Sequence, residues 1–328
     1  MKSKKTTHQE CVLIDLPKSV DQLSESDIER KLCIGKVMTH AIKSLTSTFI
    51  DKGFQWLLPV TLSQSTDPLW PDPGASIDKR IEVDIYGKTV RTTSSMIVHK
   101  LVASSVVYPK LFILSPNIRI ERAERAYTGK HVYEFTQLDF EMSGASSRDV
   151  FNLVEEAICS LLTSLKRGMK REIVSLCGCD SVRVPKTPFK VYDRQELELQ
   201  YGSDWETGIA SACKEPVWIT NIPREFYDFE DFDTGKWDNY DLFMPQYGEV
   251  LSGAKREWEY SKMLSKIERD KVNKQNYGLL LKLAKEGRIK PSAGAGVGME
   301  RLVSWITGVK HIGETQPFPR VPGVVHEL

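Results

Sequence analysis

Apolar residues recur at helical spacing in two parts of the chain. Ser26 and Glu29 fit a capping box, and the residues that follow predict a helix ending near Gly53. Its apolar positions are Ile28, Leu32, Val37, Met38, Ala41, Ile42, Leu45 and Phe49. A second amphipathic helix is predicted over residues 148–170. Its inward positions are Val150, Leu153, Val154, Ala157, Ile158, Leu161 and Leu165.

Several segments between these helices have the composition of strands. KRIEVDIYGKTVRTT predicts a hairpin that turns at Tyr86-Gly87-Lys88. KLFILSPNIRIE predicts a strand broken at Pro116, and VYEFTQLDFEM predicts a second strand. YDLFMPQYGEVLSGAKRE predicts further strands, and SAGAGVG a strand or turn before a helix, whereas residues 175–240 give no clear pattern. Because strands and helices do not alternate regularly, we expect an α+β fold with an antiparallel sheet flanked by helices.

Composition and charge narrow the class of protein. The chain has 328 residues, of which 41% are hydrophobic and 27% charged, as in ordinary globular proteins. The 45 Lys and Arg residues nearly balance the 44 Asp and Glu residues, which does not indicate a large nucleic-acid footprint. No run of about 18 apolar residues predicts a membrane span. Six scattered cysteines favour reduced thiols, so we expect a cytoplasmic protein.

The segment NIRIERAERAYTGKHVYEFTQLDFE, residues 117–141, places chemically active side chains on what alternation predicts to be one sheet face. These side chains are Arg119, Glu121, Phe135, Gln137, Asp139 and Glu141. Ile118, Ile120, Leu138 and Phe140 would then face the core. A solvated face of an antiparallel sheet often carries such residues. The segment alone therefore fits either a solvated face or a binding surface.

Two later segments carry residues suited to an anionic ligand. In GAGVGMERLV, the glycines allow close approach of a ligand to the backbone, and Arg301 lies in the first turn of the next helix, where phosphate binds well. In YDLFMPQYGEVLSGAKRE, Asp241 and Glu249 suit magnesium, and Arg256 suits a substrate carboxylate. Taken singly, these features also fit a tight turn and an exposed face of mixed charge.

Together the three segments resemble the catalytic core of class II aminoacyl-tRNA synthetases, most closely the aspartyl and asparaginyl branch. Residues 117–141 look like motif 2 of that family, and GAGVGMERLVSWITGVKHIGETQPFPR looks like motif 3. The first predicted helix and GFQWLLPVTL, with Pro59, look like motif 1, which forms the dimer. The resemblance covers about residues 26–320 and implies the sheet of that family and a homodimer.

The resemblance implies roles for individual residues. The ATP-binding set would be Arg119, Glu121, His131, Phe135, Glu249 and Arg301. Within it, Arg119 would hold the α-phosphate and Arg301 the γ-phosphate as the catalytic residues, with Glu121 and Phe135 on adenine and His131 near the terminal phosphates. Mg²⁺ would be held by Asp241 and Glu249. The substrate-binding set would be Ser95, Lys100, Gln137, Asp139 and Arg256. Gln137 and Asp139 would contact the ammonium, and Lys100 and Arg256 an aspartate carboxylate.

The sequence departs from that family at three places. The predicted helix begins near residue 26, which leaves no room before it for an anticodon-binding barrel. We therefore expect a tail at residues 1–25, a catalytic domain at residues 26–328 without an anticodon-binding domain, and no tRNA binding. Ser94-Ser95-Met96-Ile97 replaces polar residues of the amino-acid pocket, and Gly313 stands where an arginine is expected.

This layout, with the phrases SPNIR, HVYEFTQLDFE and DPLWPDPG, resembles archaeal asparagine synthetase A-like enzymes. The resemblance implies an aspartate–ammonia ligase that activates the β-carboxylate of aspartate with ATP and amidates it with free ammonia. Asparagine, AMP and pyrophosphate would be the products. One alternative is a truncated aspartyl- or asparaginyl-tRNA synthetase-like enzyme that charges tRNA or another carrier. Another is a non-catalytic, nucleotide-binding regulatory paralogue.

Overall fold

An eight-stranded, mostly antiparallel sheet forms the centre of the protein in a computed structural model. The structure describes residues 14–69, 77–178 and 182–328. In spatial order the strands are β1 (Gln55–Trp56), β6 (Lys110–Ile118), β8 (Glu134–Ser143), β15 (Ser292–Gly298), β14 (Gly248–Lys255), β13 (Asn239–Met244), β10 (Val217–Thr220) and β9 (Lys190–Asp193). The pairs at the two edges are parallel, and the inner pairs are antiparallel. The predicted α+β fold is confirmed.

Short strands form three smaller sheets beside the central one. They are β2 (Leu62–Ser63) with β5 (Lys88–Thr92) and β4 (Glu82–Ile85), β3 (Ile77–Lys79) with β7 (Ile120–Glu121), and β11 (Glu230–Asp231) with β12 (Lys236–Trp237). The predicted hairpin turn between β4 and β5 is present. Tyr86 and Gly87 both have positive φ, as the type I′ form of a two-residue hairpin turn requires.

Helices cover the sheet. Those of the described residues are α1 (Glu25–Asp51), α2 (Ile97–Val106), α3 (Ser147–Gly168), α4 (Lys170–Cys177), α5 (Arg194–Tyr201), α6 (Trp205–Ala212), α7 (Tyr260–Arg269), α8 (Gly278–Lys285) and α9 (Met299–Thr307). The main core lies where α1, α3 and α9 pack on the sheet. All the inward positions predicted for α3 are buried there. Among the described residues, no helix has both the length and the apolar surface that crossing a bilayer needs.

The start of α1 differs from the prediction. The capping box is Ser24 with Asp27: Ser24 Oγ accepts from the Asp27 N–H at 3.2 Å, and Asp27 Oδ2 accepts from the Ser24 N–H at 2.9 Å. Ile28 and Leu32 are 54% and 59% exposed, so they are not part of the core of this chain. They leave an apolar surface where the resemblance predicts a dimer contact, and the homodimer stays a prediction.

Two prolines have different effects on their segments. GFQWLLPVTL forms the short strands β1 and β2, with Pro59 in the irregular stretch between them. The predicted break at Pro116 is wrong, because β6 runs through it opposite Thr136. The N–H of Thr136 points away from β6, to the carboxylate of Glu300 at 3.0 Å. At such a pair the N–H that proline lacks would also point away from the partner strand, so β6 tolerates it.

Candidate active site

A cavity of about 250 Å³ lies over β8, β14 and β15 at the N-terminal end of α9. Most of the predicted site residues line it. They are Ser95, Lys100, Arg119, Glu121, His131, Phe135, Gln137, Asp139, Glu249, Arg256 and Arg301. Asp241 is buried behind this lining and is not part of it. Segments that are far apart in the sequence therefore meet at one cavity, as the prediction requires.

The alternation along β8 divides its side chains as predicted. Phe135, Gln137 and Asp139 line the cavity, whereas Leu138 and Phe140 are fully buried in the core. On the neighbouring strand β15, a Cβ at position 296 would lie 2.7 Å from Asp139 Oδ1. The absence of a side chain at this glycine therefore leaves room for the carboxylate of Asp139 as well as for a ligand.

Two arginines and an aromatic ring form one end of the cavity, which we call the outer end. Arg301 lies in the first turn of α9, and its Nη1 is 3.2 Å from Glu249 Oε1. The guanidinium of Arg119 lies 5.2 Å from the centre of the Phe135 ring, and its Nε donates to the carbonyl of Ser94. Partly exposed guanidinium groups beside a helix N-terminus form an anion site, and the aromatic ring offers a surface for a base.

The segment between β7 and β8 adds polar groups to the outer end. Glu121 pairs with Arg125 at 2.9 Å, and burial raises the pKa of Glu121 even though Arg125 and Arg119 are near. His131 contacts Arg125 and Thr128. Burial, followed by the charge of Arg125, lowers the pKa of His131 to about 3, so its imidazole is neutral near pH 7. His131 therefore offers a neutral hydrogen-bonding group at the outer end.

Lys130 is a cation of the outer end that the sequence analysis did not include. It lines the cavity, its Nζ lies 5.4 Å from the centre of the Tyr247 ring, and it donates to the Tyr247 carbonyl. Burial is the largest cause that lowers its pKa, followed by the charge of Arg301. Its position directly before His131 was the available signal.

The opposite end of the cavity, which we call the inner end, contains Lys100. This side chain is 2% exposed, and its Nζ donates to Asp139 Oδ1 at 3.0 Å and to the carbonyls of Phe140 and Ala295 at 3.3 and 3.1 Å. An ammonium group has three N–H donors, so these contacts use them all. In this arrangement Lys100 has no donor left for the aspartate carboxylate that it was predicted to hold.

Arg256 is likewise paired within the protein. Its side chain is 4% exposed, and its Nη1 donates to Asp228 Oδ1 at 2.5 Å. Its Nε lies 3.3 Å from Glu141 Oε1, and its Nη2 donates to the carbonyl of Gly294 at 3.1 Å. Glu141, which shares the predicted polar face of β8, therefore neutralises a buried cation and does not line the cavity.

Three further residues of the inner end come from the segment whose sequence gave no clear pattern. Arg224, Glu225 and Asp228 line the cavity. They lie in the segment that follows Pro223, where Asp228 forms a β-bridge with Arg256. Charged residues in an otherwise apolar stretch, NIPREFYDF, were the available signal. Arg224 pairs with Asp241 on β13 and Asp228 pairs with Arg256 just after β14, and the sequence alone does not show that these segments meet.

The predicted magnesium ligands have different surroundings. Asp241 accepts from Arg224 Nη2 at 2.7 and 2.5 Å through its two oxygens, and burial raises its pKa to about 7 despite that arginine. Glu249 lines the cavity beside Arg301. Within the described ranges, no group of three or more His, Cys, Asp and Glu residues is arranged to hold a metal ion. Glu249 fits an ion held largely by phosphate oxygens, whereas Asp241 would first have to exchange Arg224.

Three other features of the sequence have defined positions. Ser95 lines the cavity and its Oγ accepts from the N–H of Ile97, as at the start of a helix. Gly313 is buried, and a Cβ there would lie 3.0 Å from Pro17 and 3.3 Å from Val321, so a larger side chain would have to displace these neighbours. In DPLWPDPG, Asp67 and Leu69 line the cavity, and residues 70–76 lie outside the described residues.

Comparison with known proteins gives the relatives of this chain. The model of the family "tRNA synthetases class II (D, K and N)" matches residues 29–322. The asparagine–tRNA ligase of Thermoplasma acidophilum is 24% identical over 307 residues, which are 87% of this chain and 68% of that protein.

Solved structures show the same fold. The asparaginyl-tRNA synthetase of Pyrococcus horikoshii in complex with asparaginyl-adenylate matches with a TM-score of 0.81 at 23% identity, over 95% of this chain and 76% of that one. The corresponding complex from Entamoeba histolytica matches with a TM-score of 0.77 at 19% identity, over 94% and 72% of the two chains. At this identity the likeness establishes the fold.

These matches correct the functional prediction. The interpretation as an aspartate–ammonia ligase is wrong, because the matching family and the relatives named above are tRNA synthetases. The alternative of a tRNA synthetase-like enzyme fits these findings better. The expectation that tRNA would not be bound also conflicts with the names of these relatives.

Proposed function

We propose that this chain, which belongs to the class II tRNA synthetases for aspartate, lysine and asparagine, activates an amino acid with ATP as an aminoacyl-adenylate. The activated amino acid would then be transferred to tRNA or to another carrier. Asparagine is the first substrate to test, because the similar proteins are asparaginyl-tRNA synthetases.

The arrangement of charges along the cavity is the observation that supports this proposal. Arg119 and Arg301 supply cations at the outer end beside the Phe135 ring, and Asp139 supplies a carboxylate toward the inner end. A nucleoside triphosphate needs cations and an aromatic surface, whereas the ammonium of an amino acid needs an anion. One cavity with both ends suits a reaction between these two molecules.

The residues would promote the reaction by positioning and charge. The carboxylate oxygen of the amino acid attacks the α-phosphorus of ATP, the bond from that phosphorus to the bridging oxygen breaks, and pyrophosphate leaves with the electron pair. Arg119 would neutralise the phosphate under attack, and Arg301 the leaving pyrophosphate. Phosphoryl transfer of this type depends on orientation and charge neutralisation and needs no protein nucleophile.

Glu249 is the protein carboxylate best placed to hold Mg²⁺, which when bound would neutralise part of the charge of the ATP phosphates. Asp241 belongs to the same proposal only if its carboxylate exchanges Arg224 for the ion. The contact between Glu249 and Arg301 also orients the guanidinium of Arg301.

The paired cations of the inner end support asparagine over aspartate. Lys100 and Arg256, which could hold a carboxylate side chain, are already bound to Asp139, Glu141 and Asp228. The side-chain carboxylate of aspartate, if bound at this end, would face these three buried carboxylates. A neutral amide avoids that repulsion and can donate hydrogen bonds to them.

Amino-acid-dependent exchange of radioactive pyrophosphate into ATP tests adenylation. We expect exchange with asparagine, less with aspartate or lysine, and none when the amino acid is omitted. Charging is tested separately by acid-stable attachment of labelled amino acid to total tRNA. Exchange without charging would favour another carrier, and absence of exchange with all three amino acids would contradict the proposed function.

A further inference from the structure

Arg224 spans two neighbouring strands on the wall of the cavity. Asp241 on β13 and Ser252 on β14 stand opposite each other in the sheet. Arg224 Nη2 donates to both carboxylate oxygens of Asp241 at 2.7 and 2.5 Å, and its Nη1 donates to Ser252 Oγ at 2.6 Å. Arg224 and Ser252 line the cavity whereas Asp241 does not, so the guanidinium lies between this carboxylate and the cavity.

The surroundings of Asp241 do not fit a metal ion while Arg224 is in place. An ion on this carboxylate would have to displace the guanidinium, which would then lose its partner in a largely buried position. Within the described ranges, Asp241 and Glu249 are not joined by a third His, Cys, Asp or Glu side chain in an arrangement that could hold an ion. The cation that Asp241 binds is therefore an arginine of the chain itself.

Arg224 keeps donors for a further anion. A guanidinium group has five N–H donors, and the contacts with Asp241 and Ser252 use three of them. One of the remaining donors, on Nε, has no hydrogen-bond partner among the described residues. The side chain is 25% exposed, close to the 26% of Arg301, whereas that of Arg256 is 4% exposed. In its exposure Arg224 thus resembles the arginines of the outer end.

Arg224 also lies within electrostatic reach of the outer end. Glu249, which contacts Arg301, is on the same strand as Ser252. Burial lowers the pKa of Arg224, but the charges of nearby carboxylates, among them Asp241 and Glu249, outweigh burial and raise it. Arg224 therefore stays charged at the boundary between the two ends, where a guanidinium can donate to phosphate.

We propose that the guanidinium of Arg224 takes the place of a metal ion at Asp241: it stays on this carboxylate when ATP binds and donates to phosphate oxygens of the nucleotide. The proposal rests on the proposed function, because it assumes that the triphosphate lies between Arg301 and Arg224. Asp241 then holds the arginine in position and is not a metal ligand. The nucleotide binds with the Mg²⁺ of Glu249 alone, and the fixed guanidinium supplies the second positive group.

Two measurements of nucleotide binding test this role, both with α,β-methylene-ATP, which cannot form an adenylate. Isothermal titration calorimetry gives its affinity in EDTA and with saturating Mn²⁺, which is used in place of Mg²⁺. Electron paramagnetic resonance of free Mn²⁺ gives the number of ions bound by the protein with one equivalent of the analogue. The variants are Arg224→Gln, Arg224→Lys and the control Arg288→Gln, at an exposed arginine that pairs with Glu286. Circular dichroism checks that each variant is folded.

We expect the unaltered protein to bind one Mn²⁺ with the analogue. Arg224→Gln should bind the analogue about tenfold or more weakly in EDTA, the usual effect of losing a charge-assisted hydrogen bond. Because this substitution frees the carboxylate of Asp241, the variant should bind a second Mn²⁺, and saturating Mn²⁺ should restore most of the lost affinity. Arg224→Lys keeps a cation on Asp241 but has fewer donors, so it should bind one ion and hold the analogue less tightly. Arg288→Gln should behave as the unaltered protein.

Two ions bound by the unaltered protein would overturn the proposal, because Arg224 would then leave Asp241 to a metal. Unchanged affinity of Arg224→Gln in EDTA, or an ion count that stays at one in this variant, would also overturn it. An equal loss of affinity with and without Mn²⁺ would do the same, since a distorted cavity loses affinity in both. If Arg224→Gln does not fold, the ion count of the unaltered protein and the affinity of Arg224→Lys decide the matter.

The readout is binding and not turnover, so it separates this proposal from the proposed function. Analogue binding that depends on Arg224, in a protein without pyrophosphate exchange, would contradict only the proposed function. Exchange by a protein that binds two ions with the analogue would contradict only the role of Arg224.

Discussion

The two ends of the cavity use arginine and lysine in different ways. At the outer end, Arg119 and Arg301 are 27% and 26% exposed and each is only partly paired. At the inner end, Lys100 and Arg256 are 2% and 4% exposed and are held by carboxylates and carbonyl oxygens. The same residue types are therefore accessible to a ligand at one end and held as internal supports at the other.

The degree of burial explains this difference. A cation that is removed from water must be paired, because an unpaired buried charge is strongly destabilising. A cation that keeps contact with water can remain partly unpaired until a phosphate arrives. Removing an arginine should consequently affect stability at the inner end and catalysis at the outer end.

The largest expected effect is that of Arg256→Ala on stability. The substitution leaves Asp228 and Glu141 buried without their guanidinium, so we expect a loss of about 3–5 kcal/mol in the free energy of unfolding. Urea unfolding followed by circular dichroism measures it. Arg301→Ala is the matched comparison at the outer end and should lose about 1 kcal/mol or less. Equal losses in both variants would abolish the distinction between the two ends.

The next effect is that of Arg301→Ala on catalysis. Loss of a preorganised cation that meets developing charge should lower the rate of adenylation by about 10²–10³-fold, with the fold intact. Pyrophosphate exchange at saturating ATP measures the rate. Arg288→Ala, at an exposed arginine that pairs with Glu286, is the control and should behave as the unaltered protein. A normal rate in Arg301→Ala would remove this residue from the catalytic set.

A smaller effect is expected for Phe135→Ala at the outer end. Loss of a stacking surface for adenine should weaken ATP binding by about 1–3 kcal/mol, the range for base–aromatic stacking. The affinity for the amino acid should change little, because the proposed position of that ligand is toward the inner end. Titration of each ligand separately checks this, and an equal loss for both ligands would indicate a general distortion of the cavity.

The smallest expected effect concerns His131 and pH. The folded-state pKa of His131 is about 3, below the ordinary value of 6.5, so as pH falls below 6.5 the unfolded chain gains a proton that the folded protein resists. The unaltered protein should therefore lose stability relative to His131→Gln as pH falls from about 6.5 toward 3, and the difference should be constant above about pH 7.5. Urea unfolding between pH 4 and 8 measures it. A pH-independent difference would show that His131 titrates normally.

Rules that depend on neighbouring residues predicted some parts of the molecule correctly and misplaced one helix start. The alternation Phe135, Gln137, Asp139 along β8 gave the lining of the cavity, because the period of a strand is a local property. The apolar spacing of α3 likewise gave its buried face. Local rules misplaced the start of α1, where Ser24 and not Ser26 caps the helix, since both serines stand before the same apolar pattern.

The sequence alone determined the long helices α1 and α3, the strands around the polar hairpin with its polar face, and the resemblance to a class II synthetase core. Only the tertiary structure decided which charges pair. Lys100 meets Asp139 and the carbonyl of Ala295, which are 39 and 195 residues away, and Arg224 meets Asp241, which is 17 residues away on β13. Alternation and capping follow from neighbouring residues, whereas the partner of a buried charge depends on how distant segments pack. The tertiary structure therefore made Lys100 and Arg256 supports of the inner end and left Glu225 facing the cavity.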